Sequence, residues 1–254
     1  LEWATKLKND SLLCTLYGAL GEYAANIDAD YYQAIQWIYK GIELAQVNRH
    51  KQQYGLLLSQ LANTYYLKRD GNGLKYALEC YELGCELQDN YLTYSGAIQS
   101  AYMYFLNKQH TQAMDYVQEA EVLMKQNNFY DQAHTFNLLG QLLDELGNYP
   151  QAMEYYQKAM KDKQTSQTSS VVYAHLGYAL VLMKQEEYTE AVSLLKQGIA
   201  ISQARTNAVH RNELYETLSI CYERQHQYKE ALNAYKHFRI ENDSIFNKDK
   251  ERDL

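Results

Sequence analysis

Proline is almost absent from this sequence, and glycine is scarce. The 254 residues include one proline and 12 glycines, although these two residue types mark most turns in sheet-rich proteins. The frequent residues are Leu, Ala, Gln, Glu, Lys and Tyr, and most of them are good helix formers. The composition therefore predicts an all-α protein.

A long hydrophobic run is also missing. No stretch of about 18 uncharged apolar residues occurs, which is what a membrane-spanning helix needs. The first residues, LEWATKLKND, lack the apolar core of a signal peptide. No membrane span is therefore predicted in this segment. The chain opens directly in an amphipathic run and ends in the charged letters KDKERDL, which predicts an excised region of a longer protein.

The sequence has no excess of positive charge. Its formal net charge is -7, and acidic and basic residues are interspersed. Because binding to a phosphate backbone depends on a broad positive field, the sequence argues against direct nucleic-acid binding by this segment.

The four cysteines, Cys14, Cys80, Cys85 and Cys221, form neither a disulfide framework nor a metal-ligand pattern. Cys80 and Cys85 are five positions apart, which separates them by about 140° on a helix and is poor geometry for a disulfide. All four are predicted to be buried free thiols, and they favour a reducing compartment.

Catalytic motifs are missing as well. The sequence has no HExxH, no nucleophile elbow and no phosphate loop, and Gly71-Asn72-Gly73 lacks the strand and the further glycine of a dinucleotide site. The seven histidines are spread along the chain, and adjacent carboxylates such as Asp144 and Glu145 point about 100° apart on a helix. No catalytic residue, no cofactor and no metal site is therefore predicted.

One phrase recurs six times: a small residue, a large apolar residue four positions later, and a second small residue seven positions later. Its instances are Ala34/Ile38/Gly41, Ala77/Tyr81/Gly84, Ala113/Val117/Ala120, Ala152/Tyr156/Ala159, Ala191/Leu195/Gly198 and Ala231/Tyr235/Phe238, the last with a large third residue. The first alanines are 43, 36, 39, 39 and 40 residues apart. Such a steady spacing is typical of a solenoid, in which each unit buries its apolar face against its neighbours.

Small residues mark the expected helix contacts, because positions i, i+4 and i+7 share one helix face. A second amphipathic run precedes each phrase, and in the fifth unit either Gly177 or Ala179 could be its close-contact residue. Antiparallel helix pairs joined by short turns are therefore predicted. The structural residues of the repeat are Ala34, Ala77, Ala113, Gly140, Ala152, Ala159, Ala191 and Ala231.

The fourth unit, LLGQLLDELGNYPQAMEYYQKA over Leu138–Ala159, resembles the tetratricopeptide repeat (TPR). The matching positions are Leu139, Gly140, Leu143, Gly147, Tyr149, Ala152, Tyr156 and Ala159. Looser matches extend the resemblance over residues 11–240. It implies a right-handed superhelical α-solenoid of about six helical hairpins, followed by a C-terminal capping or exit helix.

The predicted array covers residues 1–240, and its units are approximately 11–47, 50–88, 91–126, 130–163, 168–204 and 208–240. The period exceeds the family's usual value of about 34 and resembles that of a longer-helix TPR subgroup found in bacterial regulators and some scaffolds. Residues 241–254 are similar to the exit segment of such regulators. This resemblance implies that they are the start of a charged helix leading to a missing region. A helix that caps the last repeat is the alternative.

In TPR arrays the first helix of each hairpin lines the concave face, and the family's offsets place candidate ligand contacts there. The ligand-groove candidates are Asn63, Tyr66, Tyr102, Phe105, Asn137, Gln141, Asp144, Glu216 and Glu223. Amides can bond the main chain of an extended peptide, and aromatic rings can hold its side chains. The alternative is that these side chains only satisfy helix packing or contact water.

The resemblance implies a non-catalytic domain that binds a protein or peptide segment. We expect it to be the sensing or docking region of a bacterial signal-transduction or transcriptional regulator. A stand-alone assembly scaffold without an output domain is the alternative, and an enzyme is third. The C-terminal helix could also join two copies as a homodimer. For localisation, the cytoplasm and the periplasmic side of a membrane-tethered regulator both stay open.

Overall fold

The chain folds into helices and short turns throughout the residues that the structure, a computed structural model, describes: 9–26, 28, 30–127, 129, 132–161, 169–204 and 210–250. The α-helices are α1 (Asp10–Asn26), α2 (Tyr31–Val47), α3 (Lys51–Leu67), α4 (Leu74–Leu87), α5 (Asn90–Leu106), α6 (His110–Asn127), α7 (Gln132–Glu145), α8 (Tyr149–Lys161), α9 (Ser169–Lys184), α10 (Tyr188–Ala204), α11 (Arg211–Arg224) and α12 (Tyr228–Lys250). Parts of the predicted array, including residues 1–8, and the end of the predicted exit segment, 251–254, lie outside the described residues.

Two compact units make up the chain, residues 1–129 with α1–α6 and residues 130–254 with α7–α12. Within each unit, every helix packs against the next one in sequence. The odd-numbered helices also pack on one another, α1 on α3 on α5 in the first unit and α7 on α9 on α11 in the second. Each unit is therefore a solenoid of three helical hairpins, and the predicted all-α solenoid fold is confirmed.

Seven turns between helices share one geometry. Each contains a residue with positive φ just beyond the end of a helix: Arg49, Arg69, Gln88, Lys108, Gly147, Glu186 and His226. The following amide donates a hydrogen bond to the carbonyl five residues back, as Asn148 N does to Leu143 O at 2.8 Å. This left-handed cap satisfies carbonyls at the helix end and reverses the chain in a few residues. Only Gly147, at the turn predicted before Pro150, has the residue type that favours this conformation.

The small residues of the repeat lie in helix contacts. Ala34, Ala77, Ala113, Ala152 and Ala191 are completely buried. A Cβ on Gly140 would lie only 2.8 Å from Cε1 of Tyr156, and a Cβ on Gly177 would also strike that ring. The two alternatives in the fifth unit thus have different roles. Gly177 accommodates the preceding hairpin, while Ala179 is fully buried at the repeat position 12 residues before Ala191.

The last repeat phrase is more exposed than the others. Ala231 is only half-buried, in contrast to the other first alanines of the phrase. Leu232 and Tyr235 on α12 are 56% and 45% exposed, whereas Val192 and Leu195, 40 positions earlier on α10, are 9% and 0% exposed. The difference arises because α11 packs on α10, and no later helix of the described residues packs on α12. The helix α12 continues without a break through residue 240, where the sixth predicted unit ends.

One cysteine departs from its predicted burial. Cys14, Cys80 and Cys221 are buried, but Cys85 is exposed on α4. Since Cys80 already occupies the core side of this helix, a residue about 140° further round points outward. Burial raises the pKa of the Cys80 thiol to about 12 and that of Cys221 to about 11, so these two side chains act as neutral packing residues.

Among the described residues, no helix combines the length and apolar character needed to cross a bilayer.

Candidate functional site

The predicted groove residues all lie on odd-numbered helices: Asn63 and Tyr66 on α3, Tyr102 and Phe105 on α5, Asn137, Gln141 and Asp144 on α7, and Glu216 and Glu223 on α11. The structure places the two sets of candidates in different compact units. We therefore describe each unit's odd-numbered face, meaning the outer surface of its odd-numbered helices, separately.

In the first unit, the candidates of α3 and α5 are partly covered by one another and by their neighbours. The rings of Tyr66 and Tyr102 lie 4.5 Å apart, and Tyr102 is only 4% exposed. Asn63 is half-buried, and the half-buried ring of Phe105 lies 5.7 Å from that of His110. Tyr102 is thus a packing residue and not an open contact for a ligand.

Short polar contacts continue this closure between α1, α3 and α5. The hydroxyls of Ser59 and Ser95 are 2.6 Å apart, and the Gln53 amide donates to Ser11 Oγ at 2.9 Å. The Oε1 atom of Gln60 occupies the space that a Cβ on Gly18 would need. These groups are uncharged, so the three helices are joined here by neutral hydroxyl and amide groups.

In the second unit, a polar junction links α7 to α9. Asn137 Nδ2 donates to the main-chain oxygen of Ser170 at 2.6 Å, and His134 Nε2 lies 3.0 Å from Ser170 Oγ. At the other end of α7, Lys184 Nζ forms an ion pair with Asp144 at 2.6 Å. The junction therefore fixes the register of the two helices at both ends.

This junction corrects the interpretation of two groove candidates. Asn137 is 1% exposed and Gln141 is also buried, because the tight α7–α9 contact covers both side chains. The Asn137 amide nitrogen is used within the fold, but its Oδ1 atom is buried and has no hydrogen-bond partner among the described residues. Such an acceptor costs about 1–3 kcal/mol if it stays unsatisfied.

The open stripe of α9 was missed by sequence reasoning. This helix is buried along most of its length, but Leu180 and Lys184 are exposed and Tyr173 is half-buried. The three residues fall within about 40° of one another around the helix axis. They lie 39 or 40 positions after His134, Gln141 and Asp144, so the period of the repeat could have located them. The uncertainty between Gly177 and Ala179 concealed this register.

On α11, the predicted Glu216 and Glu223 are exposed. Ile220 lies between them in the sequence and is 38% exposed. Leu180 on α9 stands 40 residues before Ile220, at the same position of the preceding repeat, and is 36% exposed. Among the described residues, neither glutamate takes part in an ion pair, whereas Glu213 lies 2.9 Å from His210 Nδ1. The second unit therefore presents two apolar side chains next to two uncompensated carboxylates.

Tyrosine hydroxyls in the first unit bond carboxylates between neighbouring helices. The Tyr54 hydroxyl donates to Glu79 at 2.5 Å, and burial together with Glu79 raises the pKa of Tyr54 to about 12. The Tyr81 hydroxyl bonds Glu119 at 2.9 Å, and burial followed by this hydrogen bond raises its pKa as well. Their raised pKa values keep these phenols neutral and favour a structural role over an acid–base role.

Comparison with protein families then identifies the repeat. One tetratricopeptide-repeat model matches residues 132–165, and a second matches residues 170–237. Residues 132–165 and 170–237 are therefore tetratricopeptide repeats. Both matches fall in the second unit, on the hairpins that carry the α7–α9 junction and the open stripes of α9 and α11. TPR arrays are protein-binding repeat domains and are typically non-catalytic.

Solved structures agree on the helical solenoid fold of the chain. The apo form of RapI has a TM-score of 0.67 at 12% identity and covers 97% of this chain and 89% of its own. A Rap protein complexed with Competence and Sporulation Factor has a TM-score of 0.64 at 14% identity, with 93% of this chain and 77% of that chain covered.

Aspartyl phosphate phosphatase F from Bacillus subtilis has a TM-score of 0.65 at 12% identity, covering 92% of this chain and 61% of its own. Identities this low show the fold alone. No curated protein matches the chain in sequence.

Proposed function

We propose that this TPR chain is the non-catalytic sensing or docking region of a bacterial signal-transduction or transcriptional regulator, and that it binds a peptide or protein segment. The observation that carries the proposal is the odd-numbered face of the second unit. There, Leu180 and Ile220 are exposed beside Glu216 and Glu223, which have no ion-pair partner among the described residues. Contiguous apolar patches rimmed by polar residues mark interaction sites, and these four side chains supply the two components of such a patch.

One further feature supports a peptide ligand. The Rap protein of similar fold was solved in complex with Competence and Sporulation Factor, so a TPR solenoid of this kind can hold such a factor.

Selection from a random peptide library on the purified chain tests ligand binding. We expect enriched sequences that bind in solution with micromolar or tighter affinity and that compete with one another for one site. If no peptide is enriched above an unrelated helical protein of the same charge, peptide binding is contradicted.

The regulator role is tested by the full-length gene. A regulator requires coding sequence for an output module, such as a membrane span with a kinase or a DNA-binding domain. A stop codon directly after codon 254 would instead favour the stand-alone scaffold. Turnover of a hydrolase or transferase substrate by the purified chain would contradict both functions.

The scaffold alternative is favoured by α12, whose Leu232 and Tyr235 are exposed at positions that are covered in the preceding hairpin. The same face is where a homodimer through the C-terminal helix would form. Sedimentation analysis of the chain and of Leu232→Ser decides this point. A dimer that dissociates in the variant supports self-association, and a monomer at all concentrations up to about 100 µM, well above the Kd of a stable dimer, contradicts it.

A further inference from the structure

The odd-numbered face of the second unit has a definite order of chemical groups. His210, at the start of α11, packs against Tyr173 of α9, with ring centroids 4.9 Å apart. Successive residues of a helix are rotated by about 100° around its axis. Viewed down the axis of α11, Glu216 and Glu223 therefore lie on one side of Ile220, and His210 lies on the other. Moving from α9 across α11, a ligand thus meets Leu180, then Ile220, and then the two glutamates.

The charges along this face do not cancel. Lys184 is paired with Asp144 at 2.6 Å, and Glu213 lies 2.9 Å from His210. The helix α11 carries two cations, Arg211 and Arg224. Arg211 pairs with Glu241 of α12, so only Arg224, which is exposed in the last turn of α11, is left to offset the glutamates. Glu216 and Glu223 therefore leave the region around Ile220 with a net negative charge.

We propose that the ligand of this face is a basic peptide with an apolar residue at its centre, a proposal that rests on the peptide-binding function above. The apolar side chain lies over Leu180 and Ile220, and lysine or arginine side chains bond Glu216 and Glu223. An acidic peptide is disfavoured, because its carboxylates would meet a region of net negative charge.

The spacing of the glutamates limits the peptide further. Seven residues along a helix correspond to about 10.5 Å, and three residues of a polyproline II segment span about 9 Å, with the side chains of positions i and i+3 on the same face. A peptide in this conformation running along α11 can therefore present basic residues three positions apart, one to each carboxylate. An apolar residue between them then turns to the neighbouring side, toward Ile220.

Fluorescence anisotropy with designed peptides tests this proposal on the purified chain. The probes are labelled nine-residue peptides in a Gly/Ser background: one with two lysines three positions apart and a leucine between them, one with glutamates instead of the lysines, and one with serine instead of the leucine. We expect the lysine–leucine peptide to bind about five- to tenfold more tightly than either relative at low salt, and the charge preference to shrink in 0.5 M NaCl.

Variants assign the effect to the two carboxylates. Glu216→Gln with Glu223→Gln is expected to remove the preference for the lysine peptide, and Glu216→Lys with Glu223→Lys to reverse it toward the glutamate peptide. Both residues are exposed, so the unfolding temperature should stay within a few degrees of the parent's. The matched control is Glu154→Gln, an exposed carboxylate on the even-numbered helix α8 of the same unit, which should change nothing.

The basic-peptide preference and the peptide-binding function can fail separately. If library-selected peptides bind but show no preference for basic residues, or if the double glutamine variant binds the lysine peptide unchanged, the basic-peptide proposal is overturned and peptide binding stands. If neither the designed nor any selected peptide binds, both are overturned.

Discussion

The two units use the same hairpin, but the α4–α5 contact of the first unit and the corresponding α8–α9 contact of the second are made in different ways. In the first unit, α4 and α5 approach backbone to backbone. A Cβ on Gly84 would lie 2.8 Å from the Thr93 Cα atom, and one on Gly96 would lie 2.9 Å from the Cys80 carbonyl carbon. In the second unit, the corresponding contact between α8 and α9 is made by the Tyr156 ring against Gly177.

The odd-numbered faces differ as well. In the first unit, the Tyr66–Tyr102 ring pair and the Ser59–Ser95 hydrogen bond lie between α3 and α5, while Tyr23 on α1 and Tyr91 on α5 are 57% and 51% exposed. In the second unit, Leu180 and Ile220 are exposed beside Glu216 and Glu223, which have no ion-pair partner among the described residues. Both units thus expose apolar side chains, and the second unit adds unpaired carboxylates beside them. We infer that recognition belongs to the second unit.

Matched glycine substitutions test the difference in helix contacts, and they have the largest expected effect. Gly96→Ala should destabilise the chain by about 3 kcal/mol, because its methyl group meets backbone that cannot move locally. Gly177→Ala should cost about 1–2 kcal/mol, since the Tyr156 ring can shift. Urea unfolding followed by circular dichroism measures both. Equal losses, or a larger loss at Gly177, would contradict the contrast between the units.

Ala152→Leu tests the register of the repeat in the second unit. Ala152 is fully buried at the first position of the fourth phrase, so the larger side chain should overpack the contact and destabilise the chain by about 1–3 kcal/mol. Ala200, exposed on α10, provides the control, because Ala200→Leu should leave the urea midpoint nearly unchanged. An unaltered midpoint for Ala152→Leu would show that the register is wrong.

At alkaline pH we expect the first unit to lose more stability than the second, by less than the substitutions above. Burial and Glu79 raise the pKa of Tyr54 from 10 to about 12, so the neutral phenol stabilises the fold fully below pH 10. That stabilisation is lost as the pH rises from 10 through 12. Raised tyrosine pKa values cluster in the first unit, at Tyr39, Tyr54, Tyr65, Tyr81 and Tyr116, against Tyr215 in the second.

Thermal unfolding at pH 9 and pH 11.5 measures this dependence. Tyr54→Phe should lose less stability than the parent over that interval, although it starts from a lower value because Glu79 loses its hydrogen bond. If the variant and the parent lose stability in parallel, the Tyr54–Glu79 bond does not carry the pH dependence.

The sequence was sufficient to predict the helical hairpins and the buried alanines. Small residues recur at positions where only small side chains fit, so Ala34, Ala77, Ala113, Ala152 and Ala191 report the helix contacts directly. The family models match the same pattern in the second unit.

The groove was harder to predict, because exposure depends on how far neighbouring helices close over a position. Asn137 and Tyr102 have the offsets of ligand contacts, yet the α7–α9 junction covers Asn137 and the Tyr66 ring packs on Tyr102. Leu180 was overlooked because an apolar residue on a nearly buried helix has the sequence signature of a core residue. Its exposure depends on the helix spacing, which the one-dimensional pattern does not contain.

Binding of a library-selected peptide to the double variant Leu180→Ser with Ile220→Ser tests the central claim most directly. We expect the affinity to fall at least about tenfold, the equivalent of 1.4 kcal/mol, with helicity retained because both side chains are solvent-exposed. Asn63→Ala in the first unit and Leu232→Ser on α12 should leave the affinity within about twofold of the parent's. Unchanged binding by the double variant, or a comparable loss in Asn63→Ala, would contradict the assignment of recognition to the second unit.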